Sequence, residues 1–234
     1  MLKIFIIGDS EKLISELSEL LKEKCDICDE LDDKVDVVFE LTNYDEEMKF
    51  KILNFIESKN TGCAIVSSSL CITALQQAAE LSDPSKLIGI AFYPGFSAMK
   101  GIEIAPTKFT DEKIIETVKS MFEEVEKQVM TSPDRPGMIA MRIISMIINE
   151  AYLVMQEGTS NKEDIDTAMK LGTNYPFGPI EWSEKLGVEL VYNILASMLN
   201  EFGEDRYRIT PLLREASISS ICRTFLLTVR IIRR

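Results

Sequence analysis

The sequence predicts an α/β domain built on a shortened, Rossmann-like parallel sheet, followed by an all-helical domain. Three observations carry this. Short apolar, β-rich runs alternate with helical patterns through the first 130 or so residues. The segment Ser132-Pro133-Asp134-Arg135-Pro136-Gly137 carries two prolines and a glycine, a composition that stops one element and starts another. Beyond it the apolar spacing is helical throughout. The expected domains are therefore 1–132 and 133–234.

Residues 2–7, LKIFII, form a continuous apolar run that reads as a strand, ended by Gly8-Asp9-Ser10. A helix follows on Leu13, Leu17, Leu20 and Leu21, and a short strand is expected near residues 25–28. A main strand over 35–41, VDVVFEL, leads to a helix over 45–59, whose apolar face is read as Met48, Ile52, Phe55 and Ile56. The next strand, 63–67, precedes a helix over 72–81 that Asp83-Pro84 stops. A strand over 87–92 runs into Tyr93-Pro94-Gly95, a further strand is expected over 102–105, and a single helix over 111–129. Strands and helices in this alternation imply parallel βαβ units. In the second domain the helices are expected over 138–157, 162–171 with Ser160 or Asn161 as N-cap, 180–186 and 188–202.

The 46% hydrophobic and 27% charged content is that of a folded globular chain rather than a disordered one. A formal net charge of -12 repels phosphate backbones and anionic membranes, so nucleic acid is not an expected partner. The apolar stretch 138–155 is interrupted by Arg142, Asn149 and Glu150 and reads as a buried helix, not a membrane span. Five cysteines without framework spacing argue for a reducing compartment, and the start MLKIFIIGDS turns polar too soon for a secretory signal. A cytoplasmic protein is expected. Cys25 and Cys28 form a C-x-x-C, but with no second pair and no histidine in the chain they cannot close a tetrahedral zinc site; no metal is expected. Arg223, Arg230, Arg233 and Arg234 interleave with apolar residues in the tail, a pattern that suits an interfacial helix or a strand at a partner surface as well as an adventitious terminus.

Residues 155–182, MQEGTSNKEDIDTAMKLGTNYPFGPIEW, resemble a signature of the C-terminal helical domain of 3-hydroxyacyl-CoA dehydrogenases, especially the 3-hydroxybutyryl-CoA branch: EG, then DID, AM, LG, NYP, GP and EW in that order. The similarity runs from about residue 35 to 215. Val37-Val38-Phe39-Glu40 with Lys49 resembles the family's strand ending in a glutamate before a lysine-bearing helix. Val66-Ser67-Ser68-Ser69-Leu70 resembles its N-T-S-S-L turn. GIAFYPGFSAMKGIE, residues 89–103, aligns on the family's stretch around the general-base histidine. PGMIAMR, residues 136–142, is similar to its P-G-F-x-x-N-R, and Leu212-Leu213-Arg214 to its late L-L-R.

The resemblance implies an acyl-CoA thioester as ligand, NAD as cofactor and a homodimer formed through the helical domain. At the reacting positions the residues differ. The histidine falls on Ala91, the asparagine after the F-F on Pro94, that of N-T-S-S on Val66 and the substrate-side asparagine on Met141. Two functional positions survive: Ser68, whose counterpart hydrogen-bonds the substrate hydroxyl, and Glu103, whose counterpart orients the histidine. The cofactor site is reduced as well. Where a dinucleotide fingerprint needs G-x-G-x-x-G, this chain reads Gly8-Asp9-Ser10-Glu11-Lys12-Leu13, so Gly8, Glu40 and Lys49 are the cofactor-side positions that remain. Asp29 and Glu30 lie roughly 20 residues on, where a ribose-binding acid would sit.

These readings lead to a catalytically impaired family member that binds acyl-CoA or a protein partner. Two alternatives stand beside it: a working NAD-dependent 3-hydroxyacyl-CoA dehydrogenase of fatty-acid or short-chain acyl-CoA metabolism, and a structural oligomerisation partner of a full-length homologue. Several motifs also have plain structural readings. Ser67-Ser68-Ser69 can cap the next helix, Asp164-Ile165-Asp166 places acids in a helix's first turn, Asn149 and Glu150 can pair across a helix interface, and Tyr175 to Pro179 makes a loop over packed aromatics.

Overall fold

Strand β1 (Leu2–Ile7) lies inside a sheet with order β2-β1-β3-β4-β5-β6-β7. Its other strands are β2 (Cys25–Ile27), β3 (Val37–Glu40), β4 (Ala64–Ser68), β5 (Leu87–Ile90), β6 (Gly101–Pro106) and β7 (Gln128–Thr131). The computed structural model describes residues 1–60 and 62–220 and divides into two units, Met1–Ile139 and Ala140–Arg234. The sheet belongs to the first.

Helices cover both sheet faces. Leu13, Leu17 and Leu21 of α1 (Glu11–Leu21) and Val118, Met121 and Phe122 of α4 (Glu112–Glu123) pack with Phe39, Phe92 and Ile104 on one side. Ile52, Leu53 and Ile56 of α2 (Glu46–Lys59) and Ala74 and Ala78 of α3 (Ala74–Ala78) pack with Val38 and Ile65 on the other. Strands packed on both faces are apolar rather than alternating: β1 sends Leu2, Ile4 and Ile6 into one core and Phe5 and Ile7 into the other, and Val37, Val38 and Phe39 of β3 are wholly buried.

Three expectations are corrected. β5 and β6 pair antiparallel, because residues 91–100 hold only a short 3-10 turn, and a parallel crossover needs a dozen or more residues. The helix expected over 111–129 ends at Glu123, and Gln128–Thr131 returns as an edge strand parallel to β6. The buried face of α2 is Lys49, Ile52, Leu53 and Ile56, while Met48 and Phe55 are exposed. The reason is an ion pair described below.

In the second unit, α5 (Ala140–Gln156), α6 (Lys162–Thr173), α7 (Pro179–Leu186) and α8 (Val188–Phe202) are followed by a helical stretch over 211–220. Asn161 caps α6 by accepting from Asp164 N at 2.9 Å. Asp166 does not serve its own helix: its carboxylate accepts from Ile180 N at 2.8 Å and Glu181 N at 3.0 Å, capping α7. Asn149 accepts from Thr210 N at 2.9 Å and donates to the Arg208 carbonyl at 3.0 Å, a packing network. Tyr175 and Phe177 meet Trp182 edge-on, as a loop over packed aromatics requires. Among the described residues no helix is long and apolar enough to cross a membrane. The basic tail positions Arg223, Arg230, Arg233 and Arg234 lie outside the described residues.

Candidate functional site

β2 pairs on one side of β1 and β3 on the other, so the chain changes direction at β1. In an open α/β sheet the crevice beyond the carboxyl ends of the strands at such a point is where ligands bind. Gly8, Asp9 and Ser10 lie there after β1, and Leu41, Thr42 and Asn43 after β3. Gly8 is required by packing: a Cβ would stand 2.9 Å from Leu41 Cβ. Ser10 caps α1, accepting from Leu13 N at 3.3 Å. Desolvation raises the Asp9 carboxyl pKa above its ordinary value; nearby Glu40 adds to this while its own backbone N–H and Lys49 oppose it.

Below the crevice Glu40 and Lys49 form a wholly buried ion pair. Glu40 also accepts from Thr42 N at 2.8 Å and Ser67 Oγ at 2.7 Å. Lys49 donates to Glu40, to Ser67 Oγ at 3.0 Å and to the Ser68 carbonyl at 2.9 Å. An ammonium has three protons, so this donor set is spent inside the fold. Burial pushes the Lys49 pKa down, and Glu40 pulls it back up. The two residues expected on the cofactor side thus tie α2 to the ends of β3 and β4.

Ser68 ends β4. Its Oγ donates to Asn43 Oδ1 at 2.6 Å, and Asn43 Nδ2 donates to the Phe92 carbonyl at 3.1 Å. The side chain of Ser68 is not the cap of α3; that cap is Thr73, in a capping box with Gln76. Asp134 adds two acceptors to the same helix start, 2.8 Å from Ala74 N and 2.8 Å from Leu75 N. Ala91, just past β5, donates its N–H to the Glu103 carbonyl at 2.9 Å, and the Glu103 carboxylate accepts from Ile139 N at 2.7 Å. Met141, by contrast, is a buried residue of α5 in the second unit.

Residues 10–135 match the model of the 3-hydroxyacyl-CoA dehydrogenase NAD binding domain, and residues 137–219 match that of the C-terminal domain of the same family. The chain belongs to the 3-hydroxyacyl-CoA dehydrogenase family. It is 32% identical over 182 residues to a 3-hydroxybutyryl-CoA dehydrogenase of Clostridioides difficile, covering 76% of this chain and 64% of that one. It is 34% identical over 188 residues to one of Bradyrhizobium diazoefficiens, covering 79% and 64%. The chain thus spans less than two thirds of either relative's length. The fold is similar to that of an (S)-3-hydroxybutyryl-CoA dehydrogenase from Ralstonia eutropha, with TM-score 0.78 at 22% identity over 93% of this chain and 94% of that one.

The loop that follows Ala91 and Pro94 is held by two residues that sequence reasoning missed. Glu16 of α1 accepts from Gly95 N at 3.0 Å and from Ser97 N at 2.8 Å. Lys127 donates to the Ser97 and Met99 carbonyls, the latter at 2.6 Å. Nothing in their spacing marks them, because each reaches a loop far away in sequence. Asn43 was missed too. Its signal was weak: a polar residue three places past a strand end reads as an ordinary loop residue.

The turn after β1 does not fit a pyrophosphate. Its single glycine answers to Leu41, and Asp9 and Glu11 put carboxylates beside the α1 N-terminus that would otherwise attract phosphate. Nor does the C-x-x-C form a reactive pair: Cys25 is buried in β2 and burial raises the pKa of both thiols. Among the described residues no cluster of metal-ligating side chains occurs.

Proposed function

We propose that this family member binds acyl-CoA thioesters but transfers hydride inefficiently, and that it self-associates through its helical unit. Ala91 carries the reading. At the position of the family's general base stands a methyl group, buried, with its backbone committed to Glu103. A positioned general base contributes about 10²- to 10⁴-fold, so its loss alone impairs without abolishing turnover. The crevice beyond β1 adds the second obstacle, since its carboxylates oppose a dinucleotide and Lys49 has no proton to spare for one. Glu103 is a poor substitute: its carboxylate already accepts the Ile139 N–H.

The experiment is calorimetric titration of the whole protein with NADH and, separately, with acetoacetyl-CoA, alongside a turnover assay with 3-hydroxybutyryl-CoA. Thioester binding without NADH binding supports the proposal. Binding of both with turnover at ordinary enzyme rates would overturn it in favour of a working dehydrogenase. Binding of neither would shift attention to protein partners.

A further inference from the structure

We infer that Asn43 fixes Ser68 as a hydrogen-bond acceptor, so that the site favours a 3-hydroxyacyl thioester over its 3-oxo counterpart. The inference rests on the thioester-binding reading above together with the family resemblance, by which the counterpart of Ser68 hydrogen-bonds the substrate hydroxyl on carbon 3. It begins with the Phe92 carbonyl, which can only accept. The nitrogen of the Asn43 amide therefore faces Phe92, at 3.1 Å, and its oxygen faces Ser68 Oγ, at 2.6 Å. The amide oxygen cannot donate, so the serine does.

The anchor is rigid. Phe92 is fully buried and its ring meets Phe39 at 6.0 Å and Phe96 at 4.9 Å, centroid to centroid. β3 and β4 align Glu40 with Ser67, which brings the loop past Glu40 alongside Ser68. Asn43 thus sits between two strand ends whose register is set by the sheet.

A serine hydroxyl has one proton and two lone pairs. With the proton on Asn43, Ser68 offers only lone pairs to a ligand. A 3-hydroxyl donates into them. A 3-oxo group has only lone pairs of its own and meets Ser68 acceptor to acceptor. Ser68 can serve it only by turning its proton away from Asn43, which leaves a buried amide oxygen without that partner. Ser68 is itself covered, so any ligand must first displace what lies over it. That cost is common to both ligands and cancels in their ratio.

The test is titration of the full chain with (S)-3-hydroxybutyryl-CoA, acetoacetyl-CoA and butyryl-CoA, the last lacking an oxygen on carbon 3. The wild type is expected to bind the 3-hydroxy thioester about tenfold more tightly than the 3-oxo one. Acetoacetyl-CoA should bind no better than butyryl-CoA. In Asn43→Ala the freed serine proton serves either ligand, and the ratio should fall to near one. Ser68→Ala should abolish the preference, which tests the same hydroxyl where the Asn43 variant folds poorly. Equal binding of the hydroxy and oxo forms by the wild type overturns the role of Asn43 while leaving thioester binding intact. A purely structural Asn43 would weaken all three ligands together in Asn43→Ala at an unchanged ratio, which also overturns it. Binding of none of the three removes the thioester-binding reading and this inference with it.

Discussion

Lys49 and Glu40 pair with no side-chain surface exposed on either, and the lysine's remaining donors go to Ser67 Oγ and the Ser68 carbonyl. A buried pair of this kind stabilises little relative to apolar residues of the same shape, yet breaking it is costly because one charge is stranded. Lys49→Met should therefore destabilise the first unit by about 3–5 kcal/mol. Lys49→Met with Glu40→Leu should recover much of that loss. Urea unfolding of the two variants measures both, and a double variant no better than the single one would show that Glu40 is not the stranded group.

Asp9 sets a pH dependence of opposite character to that of a salt-bridged acid. Its folded-state pKa lies above the ordinary 3.8, raised first by desolvation. The native state then binds more protons than the unfolded chain just above 3.8, so its ionisation costs stability as pH rises through that window. Asp9→Asn should be more stable than wild type at pH 7, and the advantage should vanish by about pH 3, where both chains are neutral at this position. The gain should be small, because Asp9 still reaches solvent, which screens its charge. Thermal unfolding at the two pH values reads it directly.

What was legible in the chain followed hydrophobic periodicity. Parallel strands packed on both faces, such as LKIFII, stand out as apolar runs broken only by Lys3, and α8 repeats its apolar residues through Leu190, Val191, Ile194, Leu195 and Met198. β7 was not legible, because Gln128–Thr131 is a short, mostly exposed edge strand lying close behind a strongly amphipathic helix. The face of α2 was misread for a different reason. Periodicity scores Lys49 as a solvent residue, while its partner Glu40 lies nine places earlier on another element. For the candidate site, Ser68 and Glu103 were expected from resemblance alone, whereas Asn43, Glu16 and Lys127 make contacts that no local pattern encodes.

Asp166 and Gly178 supply a test of the helical unit. The Asp166 carboxylate caps α7, and an added Cβ at Gly178 would collide with that side chain. Asp166→Ala should cost about 1–2 kcal/mol, the value of a helix cap. Gly178→Ala should cost a similar amount by driving the carboxylate off the helix end. The double variant should then lose less than the sum, since the second change has no cap left to displace. Additive losses in thermal unfolding would show that Gly178 serves some other contact.

Placing a base at position 91 separates the two obstacles to hydride transfer proposed above. Ala91 lies beside Glu103 on the neighbouring strand through the Ala91 N–H to Glu103 carbonyl bond at 2.9 Å. If the missing imidazole were the only defect, Ala91→His should raise turnover of 3-hydroxybutyryl-CoA by about 10²- to 10⁴-fold. The crevice beyond β1 predicts otherwise. Asp9 and Glu11 remain beside the α1 N-terminus, and Glu40 and Lys49 remain bound to each other. Ala91→His alone should therefore leave turnover at the wild-type level, with NADH still failing to bind in calorimetry. A large gain in turnover would locate the whole defect at Ala91 and acquit the nucleotide crevice.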